Sequence, residues 1–253
     1  MKLVPKKGVS AKAWLDVVAS ALLIAIVCIV AAYIYVRRRT VQEDFAFADG
    51  KKVCNQRFFY EIDSFLSPEQ CDSLITLTKQ KGMQESRVGE ETHELDTTVR
   101  RSTQAWFAHH ENDVVKYIKD KVLSIITSVE MASCFPYTDN KKSFEDVQVV
   151  CYEASGKYDP HFDGTECGED LNVACYPNQR LATFLIYLND DFEGGETRFP
   201  NINDSKVKPK KGKALFFWVS DPTNRLVYEE TLHGGDPVIT GQKWIATQWI
   251  RSY

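Results

Sequence analysis

The sequence predicts a β-dominated α+β domain, a double-stranded β-helix (jelly roll) with supporting N-terminal helices, preceded by a single transmembrane helix. Three observations lead there. Helical periodicity is confined to two segments that end by Ile126, and five short β-rich runs follow; helices first and strands afterwards argue for an antiparallel sandwich backed by helices. The turns between those runs carry Gly194-Gly195, Lys211-Gly212 and Gly234-Gly235. Near the N-terminus, Val17 to Val36 runs for 20 residues without a charge.

That run comes first in the chain. At ~1.5 Å per residue it spans ~30 Å, the hydrocarbon thickness of a bilayer. Trp14, Tyr33 and Tyr35 sit near its ends, where amphipathic aromatics suit the interface, and Arg37-Arg38-Arg39 stops it. Val30-Ala31-Ala32 offers a cleavage site, but the run exceeds the ~7–15 residues of a signal-peptide core. The expectation is an uncleaved signal anchor at 14–36, with a cytoplasmic tail at 1–13, a polar stem at 37–52 and a folded domain at 53–253. Lys2, Lys6, Lys7 and Lys12 before the span nearly balance the three arginines after it, so charge does not set the orientation. Cys28 lies in the span; Cys54, Cys71, Cys134, Cys151, Cys167 and Cys175 follow it. An even number beyond the membrane suits an oxidising lumen. Cys167 and Cys175 flank a short loop and are the best candidates for a local bridge, with buried free thiols as the alternative. Asn203-Asp204-Ser205 is a glycosylation sequon, usable only on a lumenal side. The expected location is the endoplasmic reticulum or Golgi membrane, single-pass type II, with the domain lumenal.

In the folded part, 58–62 reads as a strand. Ser67-Pro68-Glu69-Gln70 then opens a helix, with serine as N-cap, proline at the first helical position and glutamine reaching back. It runs to about Lys79 and ends near Gly82. Residues 84–98 lack periodicity and read as a loop, and 103–108 as a strand. Asp113 opens a second helix, with Val114, Val115, Ile118, Val122, Ile125 and Ile126 at helical spacing. The β-rich runs are 147–152, 181–188, 214–219, 227–231 and 243–251. The chain has 253 residues, enough for one well-cored domain plus an extension. Its net charge of −4 argues against nucleic-acid binding, and the basic run 206–213 reads as a solvated turn.

The chemistry concentrates in His161-Phe162-Asp163, His233 and Lys243. Residues i and i+2 of an extended segment face the same side, so one short stretch can present His161 and Asp163 to one ion. His233, after the run 227–231, supplies a third donor. Two imidazoles and a carboxylate without thiolate suit a non-haem Fe(II) site with open positions. An isolated H-x-D is a weak signal; the joint pattern carries the reading. Lys243, ten residues past His233, adds a positive charge suited to the far carboxylate of a small dicarboxylic acid. Alternation along the last run puts Lys243, Ile245, Thr247 and Trp249 on one face, and Thr183 shares a face with Leu185 and Tyr187. His93, His109 and His110 have no such company and read as surface or helix-start residues.

These residues resemble the prolyl 4-hydroxylases of the Fe(II)/2-oxoglutarate dioxygenases, over roughly 57 to 251. The resemblance rests on Phe65-Leu66-Ser67-Pro68-Glu69-Gln70-Cys71, Tyr152 through Asp163, Arg180-Leu181-Ala182-Thr183, Gly194-Gly195-Glu196-Thr197, Pro209-Lys210-Lys211-Gly212 and His233 through Trp249. It implies that 53–253 is the catalytic domain. It further implies His161, Asp163 and His233 as iron ligands and Lys243 as the partner of the 2-oxoglutarate 5-carboxylate. Thr183 and Tyr152 match further contacts to that cosubstrate, and Tyr158 and Trp249 match residues lining the prolyl-peptide groove. The implied reaction is 4-hydroxylation of peptidyl proline with Fe(II), dioxygen and 2-oxoglutarate, releasing succinate and CO₂, with ascorbate keeping the iron reduced. The implied partner is a proline-rich peptide or protein; oligomeric state stays open. Alternatives are an oxygenase acting on another residue or a small molecule, or a non-catalytic module gripping proline-rich segments. The cysteine-bearing stretch 164–179 departs from the family and leaves peptide preference open.

Overall fold

A computed structural model of the protein describes residues 59–87, 96–127, 143–164, 179–221 and 226–252. All belong to the unit Ala46–Tyr253. The expected signal anchor and stem, His93, and Cys28, Cys54, Cys134, Cys167 and Cys175 lie outside the described residues. Among the described residues no helix is long and apolar enough to cross a membrane.

The elements run β1 (Phe59–Ile62), α1 (Pro68–Lys81), β2 (Gln84–Glu85), β3 (Thr103–Phe107), α2 (Asp113–Ile126), β4 (Val147–Tyr152), β5 (Tyr158–His161) and β6 (Arg180–Tyr187). They continue with β7 (Glu193–Gly194), β8 (Thr197–Phe199), β9 (Ser205–Val207), β10 (Ala214–Trp218), β11 (His233–Gly235), β12 (Val238–Thr240) and β13 (Lys243–Arg251). A seven-stranded sheet has the order β1-β10-β6-β13-β4-β3-β2, a four-stranded sheet the order β5-β11-β8-β9, and β12 pairs with β7. Every pairing is antiparallel.

The large sheet is buried on both faces, which explains why its central strands read as nearly continuous apolar runs. Period-two alternation sorts them. Val147, Val149 and Cys151 of β4, Ala182, Phe184 and Ile186 of β6, and Trp244, Ala246 and Ile250 of β13 join one apolar cluster with Leu74 of α1 and Val115, Ile118 and Val122 of α2. Each such aliphatic or aromatic side chain contributes ~1.5–3 kcal/mol when fully buried. The residues between them, Gln148, Tyr152, Thr183, Lys243 and Thr247, face the opposite way and line a cleft. The helices thus supply the hydrophobic support, and the other face is left for chemistry.

Local signals set the helix ends. The Ser67 hydroxyl accepts from the Gln70 amide at 3.2 Å while Gln70 Oε1 accepts from the Ser67 amide at 2.9 Å. Gly82, at φ 87°, ends α1. In α2 the cap is Asn112, whose side chain accepts from the Val115 amide at 2.9 Å.

Four expectations change. Residues 227–231 are not a strand: Val227 makes an isolated bridge to Ser220 and Glu229–Thr231 forms a 3-10 turn. The Thr231 hydroxyl donates to the Tyr228 carbonyl at 2.7 Å, a local bond that competes with a ladder. The segment after Gly82, read as loop, contains β2, paired with β3. Strands of two to four residues, such as β2, β5 and β11, are too short to show alternation. His109 is not a simple surface residue, because its Nε2 bonds Gln248 Oε1 at 2.7 Å. Finally, Cys71 and Cys151 are free thiols buried in the core. Burial pushes them up to about 11 and about 12 respectively, so neither acts as a thiolate at neutral pH.

Candidate metal centre

β5 and β11 pair so that His161 stands directly opposite His233. This cross-strand pairing, invisible in sequence spacing, brings two imidazoles 72 residues apart into contact, their ring centroids 4.5 Å apart. Asp163 lies just past the end of β5. Its Oδ1 is 3.7 Å from His161 Nε2 and its Oδ2 is 3.7 Å from His233 Nε2. The three donor atoms lie within 4.8 Å of one another, a triangle that one ion can fill.

Both imidazoles are oriented by their other nitrogen. His161 Nδ1 sits 2.9 Å from the Asp159 carbonyl and His233 Nδ1 sits 2.9 Å from the Thr231 carbonyl. A carbonyl only accepts, so each Nδ1 carries the proton and each Nε2 presents its lone pair to the centre. Burial, and then the neighbouring His233, hold His161 well below the usual histidine range, so it stays neutral. Burial alone would raise Asp163. The Arg180 charge and the Thr183 hydroxyl oppose it, and the carboxyl is held below the usual carboxylate range. The Thr183 hydroxyl donates to Asp163 Oδ2 at 2.6 Å.

Glycine is required between the two strands. A Cβ at Gly234 would stand 2.9 Å from the Tyr158 carbonyl oxygen and 3.1 Å from Pro160 N, both backbone atoms. Gly234→Ala is therefore expected to force β5 from β11, costing ~1–3 kcal/mol of stability and weakening divalent-ion binding. Thermal unfolding with and without added ion checks both. At Gly235 the same Cβ would meet Lys243 Nζ at an ordinary 3.6 Å.

Lys243 opens β13 opposite Tyr152 of β4. It is 3% exposed, and its Nζ lies 5.4 Å from the Tyr152 ring centroid and 6.0 Å from that of Tyr187. No carboxylate among the described residues lies within 4 Å of it. Burial pushes its pKa down to about 8, against the more distant pull of Asp236 and Glu196. A buried ammonium at the wall of a cleft, without a counter-ion among the described residues, is a receptor for an anion. Beside it, the Tyr187 hydroxyl donates to Thr197 Oγ1 at 2.7 Å.

The three donors, Lys243, Thr183, Tyr152, Tyr158 and Trp249 line one cleft of about 1260 Å³. Tyr158 stacks on His161, centroids 3.6 Å apart, and the Arg100 guanidinium lies over the Tyr158 ring at 4.6 Å. Trp249 carries the Arg180 guanidinium 4.0 Å from its ring, with Trp106 5.9 Å away. Trp249 Nε1 is buried with no hydrogen-bond partner. The structure thus brings every expected site residue to one cavity. Sequence reasoning missed Arg100, Glu145, Thr197 and Arg251 as cleft-lining groups. Alternation already placed Tyr187 beside Thr183, and Thr197 stands in the Gly194-Gly195-Glu196-Thr197 motif. Arg100 and Glu145 lie outside periodic segments and left no signal.

Three comparisons bear on this arrangement. Residues 147–251 match the family model of the 2OG-Fe(II) oxygenase superfamily. The chain is 32% identical over 212 residues to prolyl 4-hydroxylase 13 of Arabidopsis thaliana, covering 78% of this chain and 72% of that protein. It is 33% identical over 227 residues to prolyl 4-hydroxylase 2 of the same plant, covering 79% and 69%. The crystal structure of a viral collagen prolyl hydroxylase from Paramecium bursaria Chlorella virus-1, a 2-oxoglutarate complex, is similar with TM-score 0.66 and 40% identity, covering 79% of this chain and 99% of that one.

Proposed function

The chain belongs to the prolyl 4-hydroxylase family of the 2OG-Fe(II) oxygenases, and from that premise we propose how its cleft hydroxylates peptidyl proline. The protein is a 2-oxoglutarate-dependent proline hydroxylase. The observation that carries the mechanism is the convergence of an unprotonated nitrogen–oxygen triangle and a buried ammonium without a counter-ion in one cleft.

The donor set fits Fe(II): two imidazole nitrogens, one ionised carboxylate, no thiolate. His161, Asp163 and His233 would hold it. When bound, Fe(II) with dioxygen and 2-oxoglutarate supplies the oxidising equivalent and yields succinate and CO₂. Lys243 pairs with the 5-carboxylate of 2-oxoglutarate and fixes how deep it sits, with Tyr152 and the Tyr187–Thr197 pair shaping the walls. Thr183 holds Asp163 in the geometry given above and reaches the cosubstrate side of the site. Tyr158 and Trp249 flank the opening. The Trp249 indole N–H has no acceptor among the described residues. Stacked aromatic and guanidinium planes suit the pyrrolidine faces of a proline-rich segment. Ascorbate serves to return oxidised iron to the ferrous state between uncoupled turnovers.

The test is direct. Purified protein with Fe(II), 2-oxoglutarate, ascorbate and a proline-rich peptide is expected to add one oxygen atom per modified proline by mass spectrometry, with matching succinate. Succinate release that ignores the peptide, with no mass gain, sinks the reading.

The uncharged run 17–36 supports membrane anchoring with the catalytic unit in the lumen of the secretory pathway. Asn203 is exposed on the turn between β8 and β9, where an acceptor asparagine is reachable. Expression in an N-glycosylating host is expected to give a glycosidase-sensitive mass shift that Asn203→Gln abolishes. An unshifted wild-type protein that stays accessible to cytosolic protease rules out this topology.

A further inference from the structure

The face of the large sheet packed on the helices is largely apolar. Gln248 lies mid-strand in β13, fully buried, with Ala246 and Ile250 as its same-face neighbours and Phe184 as its cross-strand partner. Its three hydrogen bonds all have partners. The side-chain Nε2 donates to the Glu145 carbonyl at 2.6 Å and to the Trp249 carbonyl at 3.0 Å. With both donors used, its Oε1 accepts, so His109 Nε2, 2.7 Å away, carries the proton.

These bonds converge on the backbone around Glu145. The Glu145 amide also donates to the Trp249 carbonyl, at 3.2 Å, and Phe144 bridges Ile250. Gln248 therefore clamps the segment carrying Glu145 onto the end of β13. The Glu145 side chain points to the other side, into the cleft. It accepts from Arg180 Nε at 2.6 Å and Nη2 at 2.8 Å, and from Arg251 Nε at 2.8 Å. Arg180 in turn lies on Trp249 and donates to the Asp163 carbonyl at 3.2 Å. One amide on the hydrophobic side thus governs the carboxylate that sets the guanidinium planes on the cleft side.

We propose that Gln248 is a positioning residue for the peptide substrate, acting through Glu145 on the Arg180–Trp249 surface. This rests on the reading of that surface as the peptide groove. Steady-state kinetics of Gln248→Met and Gln248→Glu in the full chain test it. Gln248→Met removes all three side-chain bonds and is expected to raise the peptide KM at least about tenfold. Its KM for 2-oxoglutarate and its peptide-free 2-oxoglutarate turnover should stay at wild-type values. Gln248→Glu keeps the shape but puts acceptors against two carbonyls, and its shift is expected to be larger. His109→Phe removes only the donor to Oε1 and is expected to move the peptide KM the same way by a few-fold, so a Gln248 variant that fails to fold leaves the test intact. In a Gln248→Met/Glu145→Gln double variant the effects should be less than additive, because both act through one carboxylate. Unchanged peptide KM in every folded variant overturns the proposal. So does a parallel rise in the KM values for peptide and 2-oxoglutarate, which marks general loosening. A wild-type protein without peptide-dependent turnover instead overturns the parent reading.

Discussion

Asp163→Ala and His233→Ala are each expected to abolish proline hydroxylation while leaving a folded protein. Four-ligand protein sites bind zinc with ~10–16 kcal/mol, so one ligand is worth ~3–4 kcal/mol, two to three decades of affinity. At an Fe(II) concentration that saturates the wild type, either variant should be nearly empty. The loss should also be visible without turnover, as reduced thermal stabilisation by added Co(II) or Zn(II). The structure sharpens this with a subtler change. Thr183→Val keeps the shape of the side chain but removes the hydroxyl bonded to Asp163 Oδ2 at 2.6 Å. Loss of such an outer partner typically costs ~10–100-fold in ion affinity or activity. If Asp163→Ala retains wild-type hydroxylation, the metal triangle is not the catalytic centre. If Thr183→Val behaves as wild type, the hydroxyl does not tune Asp163.

The second large effect separates stability from function at one residue. Lys243→Met is expected to raise the KM for 2-oxoglutarate by ~30–3000-fold, the range for losing one partner of a buried charged pair worth 2–5 kcal/mol. The same substitution should make the ligand-free protein more stable. Burial holds Lys243 at about 8, whereas an unfolded lysine titrates near ~10.4. The sign follows from proton counting. Between those values the unfolded chain binds more protons than the folded one, so stability rises with pH across that window. Below about 8 the full burial cost applies, roughly 3 kcal/mol at neutral pH. Methionine has no such cost, and the melting temperature near pH 7 should rise by several degrees. Function follows the opposite course. Anion binding needs the ammonium, so the wild-type KM for 2-oxoglutarate should be flat near pH 7 and climb as pH passes about 8. A KM that ignores both the substitution and pH overturns the assignment of Lys243 to the cosubstrate carboxylate. A melting temperature that falls in Lys243→Met shows instead that Lys243 has a stabilising partner in the ligand-free state.

The parts of this fold legible in the sequence are those governed by local rules. Ser67-Pro68-Glu69-Gln70 specifies a capping box within four residues, and the structure contains it. β4, β6, β10 and β13 are each five or more residues long, enough for their pattern to emerge. β5 and β11 do not. Each is three or four residues long and owes its existence to its partner across the sheet. The segment 227–231 has strand-like composition, yet the Thr231 hydroxyl turns it into a helical turn. The cysteine count left pairing and buried thiols both open, and Cys71 and Cys151 are buried thiols.

By itself, the sequence determined the chemistry available: two imidazoles, a carboxylate and a lysine in strand-rich surroundings, and which side of each long strand they occupy. Side-chain alternation is a property of the extended backbone and needs no neighbour. Tertiary structure alone decided that His233 faces His161, that Lys243 sits without a counter-ion, and that Gln248 reaches through to the Glu145 segment. Those are facts of register and burial. Both arise only when strands distant along the chain pair, since water is excluded from a side chain by residues that its own segment does not contain.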